Sequence, residues 1–114
     1  MGVKRAWRLK SEADVQRVWQ QGSTWTHPLL VLRARPNELG QTRLAFVVSK
    51  KIGKAVSRNR AKRLMREAAR GFYPAITPGV DLVLIARPGL VEAPLVQVRD
   101  ALDSLLARSG YKMN

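Results

Sequence analysis

Four consecutive apolar residues, Leu82, Val83, Leu84 and Ile85, set between Asp81 and Ala86, constrain this chain more than any other feature. Side chains alternate between the two faces of a strand, so an unbroken apolar run of this length reads as a strand buried on both faces, inside a covered sheet. Pro88 ends it. A chain of 114 residues has room for one such core, and residues 1–114 are read as a single domain. With 46% hydrophobic and 25% charged residues the chain has the profile of a folded domain rather than of a disordered basic tail. It contains no cysteine, which excludes a disulfide framework, a thiolate zinc site and a cysteine nucleophile. Packing must supply the stability.

The remaining elements follow from local signals. Ser11 caps a first helix, with Glu12 and Asp14 in its first turn and Val15, Val18 and Trp19 on one face, and Gly22 stops it. Residues 29–35 and 43–49 read as strands joined through the turn-rich Pro36, Asn37, Glu38, Leu39 and Gly40, which predicts a hairpin. A second helix is expected from about Ala55 to Ala69. A third starts near Pro94, buries Leu95, Val98, Leu102, Leu105 and Leu106 at spacings of 3 and 4, and stops at Gly110. The expected class is α+β, a small two-layer sandwich with the order α-β-β-(β)-α-β-α.

Against this ordinary background, 21 Lys and Arg face 8 Asp and Glu, for a net charge of +13. Such a surface seeks a polyanion. No run approaches the ~20 apolar residues of a membrane span, and the charged stretch 1–10 does not resemble a signal peptide. No membrane partner is expected, and the expected address is cytoplasmic.

The positive charge concentrates between residues 50 and 70. Lys50, Lys51, Lys54, Arg58, Arg60, Lys62, Arg63, Arg66 and Arg70 stand there against the single acid Glu67. At ~3.6 residues per turn, Ala61, Leu64, Met65, Ala68 and Phe72 fall on one side of the helix and Asn59, Arg63, Arg66 and Arg70 on the other, with Lys62 on the flank. One side packs and the other faces an anion. Like charges at these spacings destabilise an isolated helix by about 0.2–0.5 kcal/mol per pair, and Arg63, Arg66 and Arg70 are expected to repel one another without relief. A bound polyanion would neutralise that cost. Lys50, Lys51 and Lys54 surround Gly53 at the helix N-terminus, where backbone amides also receive phosphate.

Protein-side catalysis finds little support. His27 is the only histidine and precedes Pro28, and Ser23, Thr24 and Thr26 beside it read as turn residues rather than parts of a triad. The carboxylates Glu12, Asp14, Glu38, Glu67, Asp81, Glu92, Asp100 and Asp103 are scattered without metal-ligand spacing. No catalytic residue and no protein metal site is expected.

Ser49, Lys50, Lys51, Ile52 and Gly53, followed by Ala55, Val56, Arg58, Asn59, Arg60, Lys62, Arg63, Arg66 and Glu67, resemble the signature of the protein subunit of bacterial ribonuclease P, with Arg58-Asn59-Arg60 as that family's RNR motif. Leu9, Asp14, Trp19 and Gly22 match the family's N-terminal pattern, residues 31–37 its first strand and turn, and Val83, Ile85, Ala86 and Arg87 its later strand. The resemblance implies that the RNR helix joins two parallel strands by a left-handed crossover. It implies that Lys50, Lys51, Lys54, Arg58, Asn59, Arg60, Lys62, Arg63, Arg66 and Arg70 bind the catalytic RNA. A cleft beside the first helix, with Val15, Trp19 and Phe46, would hold the 5' leader of precursor tRNA. Chemistry would then reside in the RNA, assisted by Mg2+ held through that RNA, with no protein partner required. This chain has Val15 where the family commonly has an aromatic and Ala45 where it commonly has glycine, so the cleft is expected to differ in shape. Trp25 and Phe46 are further candidates for stacking on bases. A structural RNA-binding protein, such as a ribosomal component, would share the charge and size, whereas a DNA-binding helix-turn-helix would not place its basic helix between strands.

Overall fold

The computed structural model describes residues 8, 9 and 11–113; most of the charged N-terminal stretch lies outside them, as does Asn114. Helix α1 (Glu12–Gln21) is followed by strands β1 (Ser23–Thr26), β2 (Leu30–Pro36) and β3 (Arg43–Val47), helix α2 (Ala55–Phe72), strand β4 (Val80–Ala86) and helix α3 (Leu95–Ser109). The four strands form one mixed sheet in the order β1-β2-β4-β3.

β4 is the strand that the apolar run predicts, and all of it but Ile85 is buried. It takes an interior position, antiparallel to β2 and parallel to β3. The predicted hairpin of β2 and β3 is therefore wrong. A strand apolar on both faces is best satisfied with a neighbour on each edge, so β4 inserts between the two. Residues 37–42 then bridge a full strand width, about 10 Å for two spacings, instead of a tight turn. Asn37 shapes that bridge by accepting the Leu39 amide at 2.8 Å, and Glu38 and Gly40 take positive φ. β3 and β4, adjacent and parallel, are joined through α2.

Ser23–Thr26, expected as turn, is an edge strand paired with β2. Its alternation turns Trp25 onto the core and leaves both threonines exposed, and Trp25 meets Tyr111 edge-on with ring centroids 5.9 Å apart. The C-terminal tail, for which the sequence suggests no task, thereby closes the core, with a further bridge between Ile76 and Lys112.

The two faces of the sheet are unequal. α2 and α3 cover one with a continuous core that includes Leu30, Leu32, Leu44, Leu82, Leu84, Met65, Leu102 and Leu105. On the other, among the described residues, Leu9, Val18 and Val83 are buried together beneath α1, with Val15, Ala45, Val47 and Ile85 half-buried around them. α1 begins as expected, the Asp14 amide donating to Ser11 Oγ at 3.4 Å. It ends at Gly22 for a reason of space: a Cβ there would lie 2.5 Å from the Val18 carbonyl oxygen and 2.8 Å from that of Ala34. Gly110, at φ 82°, supplies the left-handed turn that ends α3.

Candidate nucleic-acid interface

α2 buries Ala61, Met65, Ala68 and Ala69, close to the side chosen by the apolar spacing, and runs three residues beyond its expected end. Its cations do not form one uniform face. Lys62 and Arg66, one turn apart, are partly buried, whereas Asn59, Arg63 and Arg70 are exposed. Arg60 projects to the opposite flank, about 160° around the helix from Lys62 at ~100° per residue, and its Nε donates to the Val91 carbonyl at 2.8 Å. That bond ties the first turns of α2 to the segment leading into α3. Arg58 folds back to donate to the Gly53 carbonyl at 2.6 Å, and Lys50 and Lys51 stand exposed on a 3-10 turn with Lys54 at the start of α2. The expectation that Arg63, Arg66 and Arg70 lack relief is corrected in one respect: Arg70 pairs with Glu67 at 2.9 Å.

Lys62 and Arg66 form one wall of a groove of about 320 Å³ along the outer edge of β3. Leu44, Ala45, Phe46 and Val47 make its floor, Val15 of α1 stands on the far side, and Arg8 and Leu9 close one end. Among the described residues β3 ends the strand order, with an isolated bridge from Arg8 to Leu44. The Leu9 amide donates to the Leu44 carbonyl at 2.7 Å. Lys62 and Arg66 flank the edge beyond along one side, and Arg8 stands at one end. An edge that pairs with no further strand among the described residues, with an apolar floor and a cationic wall, suits an extended anionic chain, whose phosphates meet Arg and Lys while its bases lie on apolar surface.

The structure thus brings Val15 and Phe46 to one groove with Lys62 and Arg66, and it does not place Trp19 in the lining. Trp19 lies a turn further along α1, 39% exposed, with the Arg33 guanidinium 5.9 Å from its ring centre. Arg33 itself donates to the carbonyls of Val18 at 3.0 Å and of Trp19, and to Thr24 Oγ1. A cation thereby caps the negative end of α1. His27 accepts the Leu29 amide on Nδ1 at 3.0 Å, a turn role.

Local sequence reading missed an ionic cluster under α1. The Asp81 side chain is fully buried and receives hydrogen bonds from Arg43 Nε and Nη2, both at 2.9 Å, and from Asn37 Nδ2 at 2.8 Å. Arg43 Nη1 reaches on to Asp14 at 3.0 Å, and Arg17 meets the same carboxylate at 2.6 Å. Desolvation pushes the Asp14 carboxyl up, but the Arg17 hydrogen bond and the Arg43 charge outweigh it and hold the group below the ordinary aspartate value. The hydrogen bond from Arg43 to Asp81 helps keep the guanidinium charged against its own desolvation. The available signal was Asp81 itself, since a carboxylate at the head of a doubly buried strand requires a cationic partner. Among the described residues, no group of three or more His, Cys, Asp or Glu is placed to hold a metal ion, and no helix is long and apolar enough to cross a membrane.

Comparisons with known proteins agree with the residues that carry the RNR resemblance. The profile of the Ribonuclease P family matches residues 3–110. The ribonuclease P protein component of Roseiflexus castenholzii is 45% identical over 95% of this chain and 89% of its own length, and that of Symbiobacterium thermophilum is 38% identical over 95% of each. The solved RNase P protein of Staphylococcus aureus superposes with a TM-score of 0.84 at 31% identity, covering 95% of this chain and 99% of that one. That of Thermotoga maritima gives 0.80 at 33% identity, covering 89% and 96%. By sequence along nearly its whole length and by fold, the chain belongs to the ribonuclease P protein component family.

Proposed function

We propose that this chain acts as one RNA-binding domain that assembles with the catalytic RNA of ribonuclease P and, in the cytoplasm, promotes removal of the 5' leader from precursor tRNA. The cationic wall of α2 beside an open strand edge carries this reading, because the two surfaces suit two RNA chains at once. Lys50, Lys51, Lys54, Arg58, Asn59, Arg60, Arg63 and Arg70 are assigned to the catalytic RNA. Val15 and Phe46 are assigned to the leader, with Trp19 further along α1 and Lys62 and Arg66 at the boundary of the two surfaces. Val15 in place of an aromatic lowers one wall of the groove, so the leader contact rests more on the α2 cations than on stacking. In this reading Mg2+ is held by the RNA, and the protein contributes binding energy, orientation and charge neutralisation.

The test is reconstitution of the purified protein with ribonuclease P RNA and precursor tRNA at moderate salt and magnesium, with leader release timed against RNA alone. A large rate gain is expected. No gain, accompanied by salt-sensitive binding to other RNAs, would favour a structural RNA-binding role instead.

A further inference from the structure

The groove depends on where α1 sits, and among the described residues apolar packing is not all that holds α1. The helix fully buries Val18, in a small cluster with Leu9 and Val83 that the half-buried Val15, Ala45, Val47 and Ile85 border. Two arginines rising from the sheet attach it. Arg33 binds the carbonyls at its C-terminal end, and Arg43 binds Asp14 in its first turn.

The Arg43 attachment lies at the groove. Asp14 immediately precedes Val15, the α1 side of the groove, and Arg43 is two residues before Ala45 in its floor. Residues two apart in a strand share a face, so Arg43 and Ala45 both face α1. Arg43 also stands in register with Asp81. The Asp81 side chain is fully buried, while those of Asp14 and Arg43 are 19% and 20% exposed. The guanidinium is therefore anchored in the sheet by two bonds and reaches the helix with one.

We propose that Arg43 is a positioning residue for the 5' leader: by joining the buried Asp81 to Asp14, it fixes where Val15 stands over Ala45 and so the place of the groove's α1 wall. This rests on the assignment of the leader to that groove. The two links are separable. Losing the Asp14 link leaves the Arg43–Asp81 pair in the sheet intact and releases only the first turn of α1. Assembly with the catalytic RNA, assigned to the α2 cations, does not depend on it.

The experiment uses the reconstituted ribonucleoprotein with Asp14→Asn, which removes the helix link, and with Arg43→Lys, which keeps the charge but cannot bridge both carboxylates. Affinity is measured for mature tRNA and for precursors carrying a long leader or one cut back to a single nucleotide. Thermal melting and catalytic-RNA binding are followed in parallel, and Val15→Glu serves as the groove control. The long leader's affinity gain should fall in both variants by up to about fivefold, the most that an ion pair of this exposure is worth. Mature tRNA and catalytic-RNA binding should stay unchanged. An unchanged leader gain in both variants, with the gain lost in Val15→Glu, would overturn the positioning role and leave the groove assignment standing. Equal losses for leader-bearing and leaderless tRNA would also overturn it, by showing a general structural role. If Val15→Glu keeps the full leader gain, the groove assignment falls and the positioning role falls with it.

Discussion

In the proposed function α2 presents two RNA surfaces, and salt dependence is expected to separate them. Of the nine cations between residues 50 and 70, Lys62 and Arg66 face the groove and Arg70 is paired with Glu67. Of the cations that the proposed function assigns to the catalytic RNA, Lys50, Lys51, Lys54, Arg58, Arg60 and Arg63 would then neutralise phosphates in full, the charge of Arg70 being already met by Glu67. The bonds of Arg58 and Arg60 to backbone carbonyls orient these side chains without neutralising them. Each neutralised phosphate contributes about −0.7 to −0.9 to the slope of log K against log salt, so six contacts give a slope of about −4 to −5. A fourfold rise in salt should then weaken binding by about 250- to 1000-fold. The assay is a filter-binding or fluorescence titration of the protein on ribonuclease P RNA across a salt series. Arg63→Ala should make the slope shallower by about one phosphate. Arg66→Ala should leave that slope alone and act on the leader-bearing precursor bound to the assembled complex. A flat salt response would refute the phosphate-facing model. Equal slope losses for Arg63→Ala and Arg66→Ala on the catalytic RNA would refute the division of α2 between two RNA chains.

Arg43→Ala takes from the buried Asp81 carboxylate its guanidinium partner and leaves the Asn37 amide beside it, and urea denaturation should show a loss of about 3–5 kcal/mol; a loss below ~1 kcal/mol would mean that water or repacking replaces the guanidinium. Gly22→Ala drives a methyl group against two backbone oxygens and should cost about 1–3 kcal/mol at unchanged denaturant slope, an expectation that a neutral variant would contradict. The folded-state value of Asp14 lies below the ordinary one, so its contribution to stability is complete above about pH 4 and is lost as pH falls through the folded value; melting in acid should therefore fall less steeply for Asp14→Asn than for the parent. Trp19→Ala should weaken binding of leader-bearing tRNA while the protein stays folded, and unchanged affinity would confine the leader to the stretch between Val15 and Val47.

Local periodicity and end signals made the elements legible, but not their neighbours. The apolar run of β4 and the 3-and-4 spacing in α3 each specify a buried surface, and the structure buries those surfaces. Pairing is a contest between distant segments. β2 and β3 are consecutive strands of ordinary pattern, and only the need of β4 for cover on both edges separates them. β1 escaped because four residues rich in Ser and Thr, followed by His27-Pro28, carry the same local chemistry as a turn, while Trp25 has its partner 86 positions away at Tyr111. The basic residues of the interface were legible because nine cations against one acid leave a mark that needs no partner to be seen. Arg8 and Arg43 were not, since each acquires its meaning from a contact across the sheet.

The same contest explains why the groove exists where it does. With β4 inside the sheet, β3 becomes an edge, and the helix that returns the chain from β3 to β4 packs on the face over these two strands, which leaves its flank at that edge. An exposed strand edge invites pairing with another chain, a hazard that proteins limit with charge or a covering segment. Here Arg8 and Leu9 cover one part, and Lys62 and Arg66 guard the rest. The cations that repel a stray basic chain of its own kind are the ones that would admit a polyanion. In the proposed function, protection of the edge and selection of the ligand would then be one arrangement. Replacing Lys62 and Arg66 by neutral residues should weaken both, and increased self-association in dynamic light scattering, alongside reduced leader affinity, is the paired result that this argument requires.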